Sequence, residues 1–163
     1  MIDNELYITA EETVKALKQK GLTIATAESC TGGMVSAYIT SVAGVSEVFE
    51  MGMTTYSCRI KCEALGVDNL ILQRKGAISE ETAALMAENI RKKAMADIGV
   101  AVTGAAGPDG SEGHPAGYVF IAVSGDKGNR VKLLEIEPKG RNFVRETAVK
   151  ELFIFVQNYI KEI

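Results

Sequence analysis

Histidine occurs only once in this chain, as His114, and cysteine three times, as Cys30, Cys58 and Cys62. A structural zinc centre takes four Cys or His ligands, so the inventory argues against a metal site. Three thiols make no disulfide framework and fit a reducing compartment. Basic residues are not in excess: 18 Lys and Arg face 21 Asp and Glu, a net charge of −3. That disfavours the basic patch of a nucleic-acid-binding surface. No apolar run approaches the ~20 residues of a membrane span. The opening "MIDNELYITAEE" is acidic and has no signal-peptide apolar core. These shortages lead to the expectation of a cytoplasmic protein with no metal, nucleic-acid or membrane partner.

What is present is a chain of 163 residues, 47% of them hydrophobic. That is the size and composition of one globular domain, 1–163, with no internal repeat or linker. "YITAEETVKALKQKGL" reads as a helix, with Thr9 and Glu12 at capping-box spacing, Gly21 as its stop, and an alternative start near Asp3. "LTIATA" alternates and is β-branched, which predicts a strand. "GGMVSAYITSVAG" predicts a helix, "VFEMGMTTYS" a strand, "CRIKCEALG" a short helix and "DNLILQRKGA" a connector. "SEETAALMAENIRKKAMA" predicts a helix capped by Ser79. "DIGVAVTG" and the continuously apolar "YVFIAV" predict strands, the second buried on both faces, with "AAGPDGSEGHPAG" a long loop between them. "GDKGNR" reads as a hairpin-like turn into a partly exposed strand, "VKLLEIE". The last 23 residues predict a long helix with a buried stripe of Val144, Ala148, Leu152, Phe155 and Tyr159. Early alternation of helices and strands, followed by a strand pair, predicts a three-layer α/β/α sandwich on a mixed sheet.

The chemistry concentrates at "TAESCTGG", residues 26 to 33, where a strand should give way to a helix. Backbone N–H groups at a helix start lack intrahelical partners. Those of Thr31, Gly32 and Gly33 can therefore converge on a phosphate or on the oxyanion of an acyl-transfer intermediate. Ser29 is the nucleophile such a corner would expose. The same residues serve equally as a capped helix start with Ser29 or Thr31 as N-cap. The stretch is neither a Walker loop nor a G-x-S-x-G elbow.

A serine nucleophile needs a base. His114 lies in the long loop and argues for no triad. Lys61, opening a helix after the strand that Tyr56 closes, becomes a base if desolvation lowers its pKa, with Tyr56 as relay or anchor. Alone, Lys61 reads equally as a solvated helix residue and Tyr56 as a packing residue. The loop 103–117 can offer N–H groups of Gly104, Ala105 and Gly107 to an anion, and Asp109 or Glu112 can bond a ribose or carboxamide. Arg141 and Arg145 stand one turn apart where the last helix begins, a place where a phosphate would satisfy both. Cys30 competes as nucleophile, although its side chain should point away from that of Ser29.

"LTIATAESCTGGMVSAYITSVAGVSEVFEMGMTTYS", "GAISEETAALMA", "VTGAAGPDG" and "GRNFVRETA" resemble, in order and spacing, the C-terminal domain of the competence-damage-inducible CinA family. The resemblance covers nearly the whole chain. It implies a nicotinamide-nucleotide amidase, forming nicotinic acid mononucleotide and ammonia from nicotinamide mononucleotide without metal or cofactor. It puts the family's serine on Ser29, its tyrosine on Tyr56 and its lysine on Lys61, with a small-molecule nucleotide as partner and a homo-oligomer as the assembly. The chain departs from the family pattern at Cys58, where an asparagine is usual, and at His114, where a lysine precedes the proline. A nucleotide-binding module without turnover is the alternative.

Overall fold

The computed structural model describes residues 4–163. Five strands form one mixed sheet: β1 (Ile24–Glu28), β2 (Phe49–Thr54), β3 (Ile98–Gly104), β4 (Tyr118–Gly125) and β5 (Gly128–Glu135). Their spatial order is β2-β1-β3-β4-β5. β1 runs parallel to β2 and β3, and the β3–β4 and β4–β5 pairs are antiparallel. Every residue of β1 is buried, as a central parallel strand covered on both faces requires.

Six helices cover the sheet: α1 (Asn4–Lys20), α2 (Met34–Thr40), α3 (Cys58–Glu63), α4 (Asn69–Lys75), α5 (Glu80–Ala94) and α6 (Arg141–Lys161). One core joins α1, α2 and α6 to one sheet face through Leu17, Ile39, Ile98, Val144, Leu152 and Phe153. The other joins α4 and α5 to the opposite face through Leu72, Met86, Ile90 and Ala101. The result is the expected α/β/α sandwich on a mixed sheet. Phe153, 1% exposed, sits where truncation to alanine costs about 3–5 kcal/mol.

Local differences have local causes. α1 already runs from Asn4, so Thr9 is a helix-interior residue whose Oγ1 donates to the Glu5 carbonyl, four residues back, instead of closing a capping box. Asp3 lies outside the described residues. The expected connector at 67–76 contains α4, because Asp68 caps it by accepting from Leu70 N–H at 2.8 Å and Leu72 anchors it in the core. Ser79 caps α5 through the Thr82 N–H. In α6 the buried face includes Val149, Phe153, Val156 and Ile160, while Phe155 is half-buried.

Three strand ends lie side by side: Glu28 pairs with Thr54 on β2 and with Val102 on β3. The loops leaving β1, β2 and β3 therefore emerge together at one edge of the sheet. Ligand sites in open α/β folds form beyond strand ends of this kind.

Candidate active site

Glu28 ends β1, and its carboxylate is 1% exposed. Oε2 accepts from Thr31 Oγ1, Gly33 N–H and Val35 N–H at 2.7, 3.0 and 3.0 Å. Oε1 accepts from Ser36 N–H and Ser36 Oγ, both at 2.9 Å. A negative charge at the start of α2 thus satisfies the orphan donors of its first turn and complements the helix dipole. Neither Ser29 nor Thr31 is the N-cap: Gly33 holds that position, at φ 99°, without a side-chain cap of its own.

This arrangement corrects the expected oxyanion donors. The Gly33 N–H belongs to Glu28, and the Gly32 N–H donates to the Ser29 carbonyl at 3.0 Å. Thr31 is left as the one of the three whose N–H has no acceptor among the described residues. Glycine is required at both positions for their left-handed backbone, φ 62° and 99°.

The corner is held from the other side by α6. Arg145 donates from Nε to the Cys30 carbonyl at 3.1 Å, from Nη2 to the Thr31 carbonyl at 2.8 Å, and from Nη1 to Asn142 Oδ1 at 3.0 Å. All three guanidinium nitrogens are engaged, two of them on the backbone behind Ser29. Arg141 differs. It bonds the Gly107 carbonyl through Nη1 and the Tyr56 hydroxyl through Nη2 at 3.1 Å, and it stays exposed.

Lys61 lies on α3, whose N-cap Ser57 accepts from the Ile60 N–H. Its side chain is 0% exposed. Nζ lies 3.0 Å from Ser29 Oγ, 2.7 Å from the Thr55 carbonyl and 3.0 Å from the Tyr56 carbonyl. Burial lowers the Lys61 pKa, opposed by the neighbouring Cys58, Cys30 and Glu112. Among the described residues no carboxylate pairs with it. Nζ donates to all three oxygens, and in the neutral form the two carbonyls can keep an N–H each while the lone pair turns to the Ser29 hydroxyl. Tyr56 enters this contact through its main chain only. Its side chain is 60% exposed and its hydroxyl is on Arg141, so it does not bridge Ser29 and Lys61.

A cleft of about 320 Å³ opens on this pair, bordered by Ser29, Cys30, Tyr56, Cys58, Lys61, Ile78 and Glu112, among others. A neighbouring cleft of about 250 Å³ shares Cys30, Tyr56, Gly104 and Ser111 with it and continues along 105–110 to Arg141. Cys30 borders both, yet it is 6% exposed and belongs to the core that joins α1, α2 and α6. Burial pushes its thiol up to about 11, partly offset by a backbone hydrogen bond and by Arg141, Lys61 and Arg145. It therefore stays protonated near neutral pH, unlike a reactive thiolate.

The loop donors are partly spoken for. Ala105 gives its N–H to the Tyr118 carbonyl at 2.9 Å and accepts from the Gly117 N–H at 2.7 Å, so it cannot serve an anion. Gly104 allows β4 to approach, since a Cβ there would meet Val119 Cα at 2.6 Å. Gly107, at φ 93°, turns its carbonyl to Arg141. His114 stacks on Tyr118, ring centroids 4.3 Å apart, and is not among the residues bordering either cleft. No three His, Cys, Asp or Glu side chains among the described residues gather as a metal site, and no helix there is long and apolar enough to cross a membrane.

Comparison with known proteins agrees with this picture. Curated competence-damage inducible proteins of Acetivibrio thermocellus and Streptococcus pneumoniae are each 43% identical to the chain, over 97% and 91% of its length. The chain spans only 40% and 35% of those two relatives. A CinA superfamily crystal structure from Klebsiella pneumoniae superposes with a TM-score of 0.94 at 28% identity, covering 97% of this chain and 99% of that one. The competence/damage inducible protein of Agrobacterium tumefaciens gives 0.90 at 32% identity, covering 97% and 98%. Residues 7–160 match the family described as the CinA C-terminal domain, and the chain belongs to that family.

Proposed function

We propose that this domain is an amidohydrolase that converts nicotinamide mononucleotide to nicotinic acid mononucleotide and ammonia, with Ser29 as nucleophile and Lys61 as base. The observation that carries the reading is the fully buried Lys61 Nζ, 3.0 Å from Ser29 Oγ and without a carboxylate partner. A solvated helix lysine would have neither the burial nor the depressed pKa. The pair is formed on a scaffold whose family resemblance supplies the substrate class.

The proton path follows from the contacts. Neutral Lys61 takes the Ser29 hydroxyl proton as Oγ bonds the amide carbon and the carbonyl π electrons move onto oxygen. The Cys30 and Thr31 N–H groups, which have no backbone acceptor among the described residues, are the donors proposed for that oxyanion, and Cys30 borders the cleft. As the tetrahedral intermediate collapses, the C–N bond breaks and Lys61 returns the proton to nitrogen, releasing ammonia. Water then attacks the ester, Lys61 takes its proton, and Ser29 Oγ leaves with that proton restored. The two clefts match the two ends of the substrate: the carboxamide against Ser29, the phosphate toward Arg141 and the Gly107 loop.

The test is ammonia release over nicotinamide mononucleotide, nicotinamide riboside, NAD and free nicotinamide. Hydrolysis of the mononucleotide above the others is the expected result. Absence of ammonia from all four rejects the reading.

A further inference from the structure

We infer that Glu112 reads the charge of the ring: its carboxylate, held in the Ser29 cleft, selects a cationic pyridinium over a neutral ring of the same shape. The inference rests on the amidase reading for its ligand, and deepens it.

Glu112 is one of two non-glycine residues with positive φ among the described residues, at 52°. The other, Met95, ends α5 in the left-handed turn common at helix termini. Glu112 ends no helix, and the left-handed conformation is unfavourable for a residue with a Cβ. Two features hold it there. Ser111 and His114 exchange backbone hydrogen bonds at 3.0 and 2.9 Å, closing a tight turn with Gly113 at φ 79°. The carboxylate itself is tied down, since Oε2 accepts from the Ile78 N–H at 2.9 Å. Gly76 leaves the space for it: a Cβ there would stand 2.5 Å from Oε2.

The carboxylate is therefore anchored on one oxygen, while Oε1 has no partner and no cation pairs with the group among the described residues. It borders the cleft that contains Ser29 and Lys61, and its field reaches Lys61. Glu112 is the one carboxylate among the side chains bordering this cleft, and the amidase reading takes its lysine, Lys61, as the neutral amine. A ribosylated nicotinamide ring carries a positive charge spread over its atoms, and its dihydro form carries none at nearly the same size. An anchored carboxylate favours the first by Coulomb attraction and leaves the second unaffected. The phosphate is common to both and does not discriminate.

The experiment is a calorimetric titration of Ser29→Ala and of Ser29→Ala/Glu112→Gln with nicotinamide mononucleotide and with its dihydro form. Glutamine keeps an acceptor for the Ile78 N–H and removes the charge, so the loop stays anchored. The single variant should bind the cationic mononucleotide about two- to fivefold more tightly than the dihydro form, the scale of a partly exposed charge pair. The double variant should bind both alike, because only the affinity for the cation falls. Equal affinities in the single variant, a preference that survives Glu112→Gln, an equal loss for both ligands, or no binding of either overturns the inference. Ammonia release by the parent, measured separately, decides the amidase reading: a silent parent whose Ser29→Ala form prefers the cation rejects the chemistry and keeps the charge selection.

Discussion

Lys61 Nζ and Ser29 Oγ stand 3.0 Å apart, on residues 32 positions distant in the chain. β1 leads into the serine, and α3, entered from the end of β2, carries the lysine, so the contact is made beyond two parallel neighbours ending at the same level. Neither side chain reaches an imidazole or a carboxylate. The hydroxyl has a single basic group to give its proton to, and the amine has two carbonyls to fix its orientation.

Ser29→Ala should abolish ammonia release while leaving nucleotide binding within a few-fold. Loss of a covalent nucleophile costs on the order of 10³-fold or more in kcat. Cys30 is not expected to take over, because its thiol, pushed up to about 11, stays protonated. Single-turnover ammonia release and calorimetry on the same preparation make the test. Activity retained in Ser29→Ala, and lost in Cys30→Ala, would move the chemistry to the thiol.

The pH dependence follows from the direction of the Lys61 shift. Burial lowers its pKa, against the opposing influence of Cys58, Cys30 and Glu112. The active amine is neutral, and its population grows as pH rises through the depressed pKa. The kcat/KM profile should therefore climb with pH through an apparent pKa below the usual ~10.4 of lysine. Lys61→Met should remove that limb with nearly all turnover. Lys61→Arg should be equally inactive, because a guanidinium stays protonated. His114→Asn should leave the limb in place. A limb that vanishes with His114, or persists in Lys61→Met, refutes the lysine base.

Glu28 should matter first to stability. Its buried carboxylate accepts five hydrogen bonds from the start of α2. Glu28→Gln turns one acceptor oxygen into a donor facing other donors. Loss of charge-assisted bonds of about 1.5–3 kcal/mol each bounds the penalty. A thermal midpoint lower by about 4–12 °C is expected for a chain of this size. Ser36→Ala, which removes one hydroxyl from the same carboxylate, should cost less. Calorimetric unfolding of the three proteins checks the order, and a Glu28→Gln midpoint equal to the parent's rejects Glu28 as the anchor of this corner.

The periodic segments of the chain show directly in its letters: β1, β3, β4, α5 and α6 each carry an apolar pattern or a cap that local physics reads. α4 did not show, because seven residues hold too few turns for a helical period and its one strong signal, Asp68, also suits a loop. At the site, Ser29 and Lys61 were visible as candidates, but their mutual distance depends on strand register, which no local pattern encodes. Glu28 was missed although it sits inside the quoted motif. A carboxylate ending a strand normally reads as solvent-facing, and only the α2 donors converging on it reveal otherwise. Its position five residues before the Gly33 N-cap was the available signal. The two arginines read alike in sequence and separate only through their partners, the backbone of the Ser29 corner for Arg145 and the cleft rim for Arg141.

That separation gives the last prediction. Arg145 binds the carbonyls of Cys30 and Thr31, so its loss should loosen the turn that presents Ser29. Arg145→Ala should lower kcat and the thermal midpoint together, and should impair nicotinamide mononucleotide and any weaker riboside hydrolysis by similar factors. Arg141 lies at the rim of the neighbouring cleft, with the Gly107 loop and the Tyr56 hydroxyl as its hydrogen-bond partners among the described residues. Arg141→Ala should raise KM for the mononucleotide about tenfold, the scale of one charge-assisted contact of ~1.5–3 kcal/mol. It should change kcat little and the riboside hardly at all, because the riboside has no phosphate. Tyr56→Phe, which removes the hydroxyl on Arg141 and leaves the Lys61 main-chain bond intact, should follow Arg141→Ala in direction with a smaller KM effect. Steady-state kinetics on both substrates, with thermal midpoints, separate the two arginines. A phosphate-selective KM effect in Arg145→Ala, or a kcat loss without a KM change in Arg141→Ala, would reverse these roles.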